Sequence, residues 1–415
     1  MSLENLVRSV KGGLKKVAMT GLLFASAYAP FGCGGGGDPP SPNIDPTIAT
    51  NVTSGTPSGT PVTSVTIPEG NVMELNFVVD DPDGNFPITF VVSGALPPFL
   101  TYDGATKTIS GVANYTDSGT YPIQLVAQDS RGGNTLRNLD LIVSDVASPP
   151  RIISIKNDGA WKLVHMYPDG SNEVEIAAPA NFKGRPRWYP GDQTLITYFR
   201  SDGGSAGFDP RLANADGTGE QKIVDNPDVD KIQPVISPDK TLVTYTSAQS
   251  TPRAIYLADW NDTTKTATNV RKLNSNTNEA LWSVFSFDSQ WVYYSADKSG
   301  NFEVCRFRSD QTGLEENLTN NPANDFVDDL SADGTKLLFR SDRTGGIRKL
   351  YIANPDGTGV TPLTNNLADA FSGNFSPDSK KVVYELSTDL YIIHTDGRFN
   401  RMITSGSFDY YDPDW

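Results

Sequence analysis

The feature that most constrains this chain is an internal repeat over its last two-thirds. Residues 371–378 read Phe-Ser-Gly-Asn-Phe-Ser-Pro-Asp, and related phrases occur at residues 232–239, 281–288 and 326–333, with a looser copy at residues 184–191. A large apolar anchor precedes the Ser position of each copy. The anchors are Trp188, Ile236, Phe285, Leu330 and Phe375. They lie 45 to 49 residues apart, and a period near this length is typical of the blades of a β-propeller.

Each repeat carries the signals of four short antiparallel strands. An apolar run follows the Ser, as at residues 291–294, and a polar turn then leads into a third run, as at residues 303–307. A second turn carries Asp-Gly, as at residues 356–357, and the unit closes with Leu-Thr, as at residues 363–364. Asp-Gly between alternating apolar runs favours a tight hairpin, because both turn residues tolerate positive φ. The repeat therefore predicts one four-stranded sheet per unit.

The two ends of the repeat region predict how the ring of sheets closes. Residues 409–415 match residues 369–375, so the last segment reads as an innermost strand without outer strands after it. Residues 151–177 supply outer strands but no inner one. Joined, these halves make one sheet, and five complete units bring the total to six. The sequence thus predicts a six-bladed propeller over residues 151–415 whose C-terminal strand closes the first blade and leaves only short edges.

The repeat resembles that of the TolB-type propellers, whose unit reads like Trp-Ser-Pro-Asp-Gly, then Ser-Asp-x-x-Gly, then Asp-Gly and Leu-Thr. Ser-Pro-Asp at residues 237–239 and 376–378 matches best, and Tyr-Pro-Gly at residues 189–191 departs most. TolB binds a peptidoglycan-associated lipoprotein through its propeller, so the resemblance implies a protein or peptide partner. In place of the α/β domain that precedes the propeller in that family, residues 47–146 read as a β-sandwich.

This predicted sandwich has apolar or alternating runs separated by Gly, Pro and Asp turns, as expected for an antiparallel domain of about 100 residues. Its motifs follow one another in the order seen in the Ig-like, cadherin-like domains of bacterial surface proteins, which it resembles. The motifs are Leu-Pro-Pro-Phe-Leu at residues 96–100, Thr-Ile-Ser-Gly at 108–111, Gly-Thr-Tyr at 119–121 and Asp-Ser-Arg-Gly-Gly at 129–133. The predicted fold class is all-β: an N-terminal Ig-like β-sandwich followed by a six-bladed β-propeller.

Residues 1–32 read as a secretory signal peptide. Four basic residues precede an apolar run at residues 17–29, which is too short to span a bilayer. Ala-Tyr-Ala at residues 27–29 fits an ordinary A-x-A cleavage site, whereas Pro-Phe-Gly-Cys resembles a bacterial lipobox with Cys33 as the lipidated residue. The Gly- and Pro-rich residues 33–46 favour lipidation, because they form a flexible tether between a lipid and a folded domain. We expect an exported lipoprotein anchored to the outer membrane, on its periplasmic face or at the cell surface.

Composition argues against several other functions. The formal net charge of −15 does not suit binding of nucleic acid through phosphate neutralisation. Neither His165 nor His394 has a neighbour at metal-ligand spacing, so a catalytic zinc is not expected. Gly-Gly-Ser-Ala-Gly at residues 203–207 has the letters of a nucleophile elbow, but Phe-Asp-Pro follows where a helix would be needed. We therefore expect a binding protein without a resident cofactor rather than an enzyme.

Calcium is the exception to that expectation. Glu69, Asp81, Asp83 and Asp129 are candidate ligands in the sandwich, because Ca²⁺ requires several converging oxygens. Asp-Pro-Asp-Gly at residues 81–84 is also an ordinary turn, in which Asp and Gly serve the backbone. The turn is the favoured interpretation, and a calcium-dependent surface adhesin is one alternative function.

The candidate partner site is the mouth of the propeller channel, where the inner strands begin. Two rings of positions lie there, six and three residues before each anchor, and one ring is expected to face the pore. The candidates are Arg185, Asp230, Gln233, Glu279, Trp282, Asp369, Asp409 and Asp412. Acidic groups together with Arg185 and Trp282 could grip a peptide or a cation, or the acids could cap the turns before the strands. The other alternative function is a carbohydrate-binding or glycan-processing propeller enzyme.

Overall fold

The structure is a computed structural model that describes residues 44–52, 63–84, 86–115, 117–146, 149–177, 183–201, 207–225, 230–247, 252–273, 278–298, 300–404 and 406–415. The regular elements of these residues are β-strands, which confirms the predicted all-β class. The described part contains no helix long and apolar enough to span a membrane. The predicted signal peptide, Cys33 and residues 34–43 of the predicted tether lie outside the described residues. Residues 44–415 form one compact unit.

The N-terminal part of this unit is a sandwich of two four-stranded sheets. The first sheet has the order β1 (Thr47–Val52), β3 (Val72–Asp80), β6 (Thr108–Val112) and β5 (Leu100–Asp103). The second has the order β2 (Ser64–Pro68), β8 (Asn134–Ser144), β7 (Gly119–Gln128) and β4 (Thr89–Ser93), with β2 parallel to β8. Alternate residues of each strand point inwards, so that Leu75, Ile109, Leu125 and Leu141 share one buried core.

The rest of the unit contains six four-stranded sheets. From the innermost strand outwards, the first two sheets are β12 (Lys183–Tyr189), β13 (Asp192–Ser201), β14 (Phe208–Asn214) and β15 (Gln221–Lys222), and then β16 (Lys231–Ile236), β17 (Leu242–Ser247), β18 (Ala254–Asn261) and β19 (Thr266–Lys272). The next two are β20 (Ala280–Phe285), β21 (Trp291–Lys298), β22 (Asn301–Arg308) and β23 (Glu316–Asn317), and then β24 (Asp325–Leu330), β25 (Leu337–Ser341), β26 (Lys349–Ala353) and β27 (Thr361–Pro362). The last two are β28 (Ala370–Phe375), β29 (Lys381–Leu386), β30 (Asp389–His394) and β31 (Arg401–Met402), and then β32 (Asp409–Asp414), β9 (Ile152–Asn157), β10 (Trp161–Met166) and β11 (Val174–Ile176).

The last of these sheets closes the ring as the sequence predicts. β32 pairs antiparallel with β9, and Tyr411 lies opposite Ile155. Each innermost strand also contacts the innermost strand of the next sheet, and β32 contacts both β28 and β12. The buried side chains of neighbouring sheets pack together, so that Trp415 and Ile152 share a cluster with Val383. The hydrophobic core of the propeller is therefore a series of clusters between adjacent sheets.

Polar side chains in the position before the anchor tie three of the inner strands to the next one. Asp329 accepts a hydrogen bond from the backbone N–H of Phe375 at 2.8 Å. Asn374 donates to the carbonyl of Pro413 at 2.7 Å, and Asp414 accepts from the N–H of Trp188 at 2.8 Å. The last bond crosses the point of closure, so the terminal strand is tied to the first complete sheet as well as to β9.

The sandwich packs directly against the propeller through polar contacts. The buried ammonium of Lys381, at the start of β29, donates to the carbonyl of Gly70. Arg401 donates to the Asn114 side chain at 2.6 Å, and the N–H of Tyr115 donates to Asp169 at 2.9 Å. All these contacts lie on the face where the inner strands end, because β29 begins beside the end of β28.

We expect Trp415→Ala to lower the free energy of unfolding by about 3–5 kcal/mol, the usual loss for deleting a large buried aromatic side chain. Trp415 is only 8% exposed. The control is Leu367→Ala, at a side chain that is 91% exposed, where we expect a change within about 0.5 kcal/mol. Urea unfolding followed by circular dichroism measures both. Equal stability of the two variants would show that the terminal segment does not complete the ring.

Candidate binding site at the channel mouth

Five of the six inner strands hold a non-glycine residue in the left-handed conformation three positions before the anchor. These residues are Arg185 (φ 41°), Gln233 (φ 59°), Trp282 (φ 52°), Ser372 (φ 48°) and Asp412 (φ 47°). Each lies at a register shift between its strand and the second strand of the sheet. A β-bulge of this kind redirects a side chain, and the left-handed conformation costs about 1–2 kcal/mol for a residue with a Cβ atom. The same unfavourable geometry is thus repeated around the channel.

Four of these five residues line a cavity of about 240 Å³ at the channel mouth. Its lining residues are Arg185, Trp282, Phe326, Arg340, Arg348, Phe371, Ser372, Glu385 and Asp412. Three of the sequence candidates, Arg185, Trp282 and Asp412, therefore lie together in its wall. The cavity combines aromatic rings with both cationic and acidic side chains, as expected for a site that fixes a ligand by a few polar groups.

Gln233, another candidate, connects Arg185 to Trp282. When the Gln233 amide is oriented with its carbonyl oxygen towards these donors, it accepts hydrogen bonds from Arg185 Nε at 3.2 Å and from Trp282 Nε1 at 2.6 Å. Arg185 also lies 3.5 Å from Asp412 Oδ1, which accepts a hydrogen bond from Ser372 at 2.8 Å. Burial lowers the pKa of Arg185 to about 10, with Asp412 opposing the shift, so Arg185 stays charged at neutral pH. One network thus connects all five left-handed side chains, with Gln233 as the link between Arg185 and Trp282.

A second ion pair lies in the wall of the cavity. Arg340 and Asp328 are 2.8 Å apart, and their side chains are only 3% and 1% exposed. The Arg340 guanidinium also lies over the rings of Trp282 and Phe326, at 4.6 Å and 5.4 Å from their centroids. Burial raises the pKa of Asp328 while Arg340 opposes the shift. Removing either partner would leave the other charge buried without compensation.

Arg348 is the third guanidinium of the cavity and differs from the other two. It lies between the rings of Phe326 and Phe371, 5.7 Å and 5.4 Å from their centroids. Among the described residues, no carboxylate lies within ion-pair distance of this guanidinium. Asp369 instead accepts a hydrogen bond from the backbone N–H of Arg348 at 2.7 Å. The charge of Arg348 is therefore not neutralised by a described neighbour.

Glu385 is held in its protonated form. Burial, and secondly the nearby charge of Asp412, raise its pKa to about 8, while Arg340 and Arg185 oppose the shift. The side chain lies 3.5 Å from the backbone N of Asp412. At neutral pH this carboxyl group carries little negative charge into the cavity.

The remaining candidates lie six residues before the anchors, and three of them connect neighbouring sheets. Asp230 accepts from the N–H of Phe208 at 3.1 Å, Asp369 binds the backbone of Arg348 as described, and Glu279 pairs with Arg253. All three partners lie at or next to the start of the third strand of the preceding sheet. Asp409 begins β32 opposite Asn157. Asp230 and Asp369 thus bind backbone N–H groups, as in the alternative interpretation, whereas Glu279 binds an arginine side chain.

Five lining residues lie outside the two predicted rings, whereas Ser372 belongs to the ring three residues before the anchors. Arg340 and Glu385 come from the second strand of neighbouring sheets and occupy the same position of the repeat, nine residues after the conserved Ser. A charged residue within an otherwise apolar strand was the signal that could have revealed them. Phe326, Arg348 and Phe371 read as ordinary strand or loop residues, and only the convergence of the sheets brings them together.

In the sandwich, the four calcium candidates all bind backbone N–H groups. Glu69 accepts from Ser118 and Val146 at 2.9 Å and 3.3 Å. Asp81 accepts from Asp83, Asp83 from Ile44, and Asp129 from Arg131 and Gly133, all at 2.7–3.0 Å. No group of three or more His, Cys, Asp or Glu side chains in the described ranges is arranged to hold a metal ion. Calcium binding stays a prediction.

The fold and the mouth define a TolB-type propeller preceded by an Ig-like sandwich. The chain belongs to the TolB beta propeller domain family, whose sequence profile matches residues 193–415. Residues 46–144 match the family described as "Putative Ig domain". Both resemblances inferred from the repeat and the sandwich motifs are thereby confirmed.

Individual relatives agree with this assignment. A TolB protein homolog of Chlorobaculum tepidum is 30% identical over 119 residues, which are 28% of this chain and 27% of that protein; the match spans about a quarter of the relative. The crystal structure of TolB from Acinetobacter baumannii has a TM-score of 0.56 at 20% identity, covering 79% of this chain and 82% of that one. A chain of a nidogen–laminin complex has a TM-score of 0.51 at 11% identity, covering 64% and 98%. These structural similarities show the fold alone.

We expect Arg340 and Arg348 to differ in their contribution to stability. Arg340→Ala leaves buried Asp328 unpaired and should cost about 3–5 kcal/mol. Arg348→Ala removes a partly exposed side chain without an ionic partner among the described residues, so its cost should stay below about 1 kcal/mol. Urea unfolding at neutral pH gives both values. A cost for Arg348→Ala that equals that of Arg340→Ala would contradict this description of the cavity.

Glu385 should make the protein less stable as the pH rises. Its pKa is about 8 in the folded state and near 4.3 in an unfolded chain, so between these values the folded state binds more protons. The free energy of unfolding therefore falls with increasing pH over this window. Glu385→Gln removes this contribution, and its stability relative to the wild type should increase from pH 5 to pH 8.5. A pH-independent difference between the two unfolding curves would refute the assignment.

Proposed function

We propose that this protein is an exported, lipid-anchored envelope protein whose propeller binds a protein or peptide partner at the channel mouth. The observation that carries the proposal is the set of five left-handed residues at equivalent positions of the repeat, four of which line one cavity. Strained backbone geometry of this kind persists where the surrounding structure maintains it, and it is concentrated at functional sites. Neighbouring contacts alone would not require five different side chains in the same unfavourable conformation.

The size of the cavity favours a macromolecular partner. A volume of about 240 Å³ lies below the range of roughly 300–1,000 Å³ typical of small-molecule sites. It suits one or two side chains that a larger partner inserts as an anchor. Propellers of the TolB class bind proteins, which supports the same conclusion.

The chemistry of the cavity favours a peptide over a sugar. A sugar ring typically stacks on an open aromatic face, but the guanidinium groups of Arg185 and Arg340 already lie over Trp282, at 5.2 Å and 4.6 Å from its ring centroid. Phe326 and Phe371 are similarly covered by Arg348.

The arrangement of the two domains leaves the proposed site accessible. The sandwich contacts the propeller near Lys381, where the inner strand β28 ends. The cavity lies where the inner strands begin, at the opposite face. A partner could therefore bind without displacing the sandwich.

Capture from native envelope extract tests partner binding. The full-length protein and Leu314→Ala, at a side chain that is 85% exposed in the turn after β22, should retain the same protein, whereas Trp282→Ala and Phe371→Ala should lose it, because each removes part of the cavity wall. Circular dichroism confirms that the variants are folded. A partner that binds all four proteins equally would place the binding surface elsewhere.

Lipid anchoring has a separate test. Cys33→Ala should move the protein from the membrane fraction to the soluble fraction and abolish metabolic labelling by an alkynyl fatty acid. If instead the wild type carries no label and begins after Ala29, the ordinary signal peptide is the correct interpretation and the anchor is not.

A further inference from the structure

The cavity offers one positive charge that no described neighbour neutralises. We propose that the channel mouth recognises a carboxylate of the partner peptide, bound by Arg348 between Phe326 and Phe371. The proposal rests on the proposed function of this site and specifies the chemistry that the partner must present.

The balance of charge within the cavity supports an anionic ligand. Arg340 is paired with Asp328 at 2.8 Å, and Arg185 lies 3.5 Å from Asp412. Arg348 has no such partner among the described residues. The whole chain carries a formal charge of −15. An uncompensated guanidinium at this mouth is therefore a positive charge in a molecule that is acidic overall.

Arg348 is also held in position before any ligand arrives. Its backbone N–H donates to Asp369 at 2.7 Å, and its carbonyl accepts from the N–H of Ala370 at 2.9 Å. The two Phe rings lie on its guanidinium and provide cation–π contacts. A planar guanidinium that keeps its N–H groups free can bind both oxygens of a carboxylate.

A cationic ligand fits the same cavity poorly. Asp412 already accepts a hydrogen bond from Ser372 and lies 3.5 Å from Arg185. Glu385 is mostly protonated at neutral pH because its pKa is about 8. The charged and titratable groups that face Glu385 are Asp412, Arg340, Arg185 and Tyr411. The negative charge of Asp412 is therefore already opposed by Arg185, which disfavours a ligand ammonium group.

Protonation of Glu385 and binding of a carboxylate are coupled. An ionised Glu385 would place a negative charge in the same cavity, so affinity for a carboxylate should fall as the pH rises through about 8. A neutral ligand should not show this dependence. The pH profile therefore reports on the charge of the bound group.

The carboxylate could be the C-terminus of the partner or an acidic side chain. Two probes separate these sources: N-acetylphenylalanine, with a terminal carboxylate, and N-acetyl-Phe-Glu-amide, with a side-chain carboxylate. Their neutral controls are N-acetylphenylalaninamide and N-acetyl-Phe-Gln-amide. Each carries a phenyl ring for the aromatic wall. Ligand-detected NMR titration of the full-length protein measures the four affinities.

We expect at least one acidic probe to bind more tightly than its amide at pH 6.5. Arg348→Gln should weaken that acidic probe about tenfold, as for the loss of one charge-assisted hydrogen bond, and leave the amides unchanged. Arg308→Gln should have no effect, because Arg308 ends β22 opposite Trp291, the first residue of β21, on the face away from the mouth. Raising the pH to 9 should weaken the acidic probe on the wild type but not on Glu385→Gln.

The outcomes separate this inference from the proposed function. Equal affinity of acids and amides, no binding of any probe, or an unchanged affinity for Arg348→Gln overturns the carboxylate assignment. If the captured envelope partner still requires Trp282 in that case, the mouth remains the binding site and only its ligand chemistry is wrong. If capture is independent of Trp282 as well, both proposals fail.

Discussion

The antiparallel pairing of β32 with β9 is the constraint on which the propeller depends. It joins residues 409–414 to residues 152–157, and Ser154 donates a side-chain hydrogen bond to the carbonyl of Tyr411 at 2.7 Å across this pair. Closure brings Asp412 beside Arg185, although the two belong to the last and the first of the successive inner strands. The candidate site therefore exists only in the closed ring.

Polar side chains of the inner strands contact both the neighbouring sheets and the channel. Where it begins, side chains such as Asp230 and Asp369 bind the preceding sheet; where it ends, Asp329 and Asp414 bind the next one. The left-handed residue lies between these two fixed points. A conformation that is unfavourable in isolation is tolerated because both ends of the strand are held.

The sandwich adds a rigid attachment on the opposite face. The carbonyl of Gly70 accepts a hydrogen bond from the Lys381 ammonium. Gly70 has φ +75°, and a Cβ atom there would lie 2.4 Å from the Tyr115 hydroxyl. Tyr115 itself contacts the propeller through its N–H and its ring, which lies 5.9 Å from Tyr167. The close approach of Gly70 and Tyr115 shapes the loop surface that meets the propeller.

The sequence alone determined the architecture, because short motifs that specify local structure recur along the chain. The anchors, the Asp-Gly turns and the match of residues 409–415 to an inner strand each reflect short-range geometry, and together they predict the sheets, their order and the closure. They also identified Arg185, Gln233, Trp282 and Asp412 as one ring, since equivalent repeat positions occupy equivalent places around an axis.

The tertiary structure decided the rest. Whether an acid faces the pore or binds a neighbouring backbone depends on a bulge that shifts register by one residue, and Arg348 meets Phe326 and Phe371 only because separate sheets converge at the mouth. Contacts of this kind join residues distant in sequence, and no local pattern encodes the distance between them.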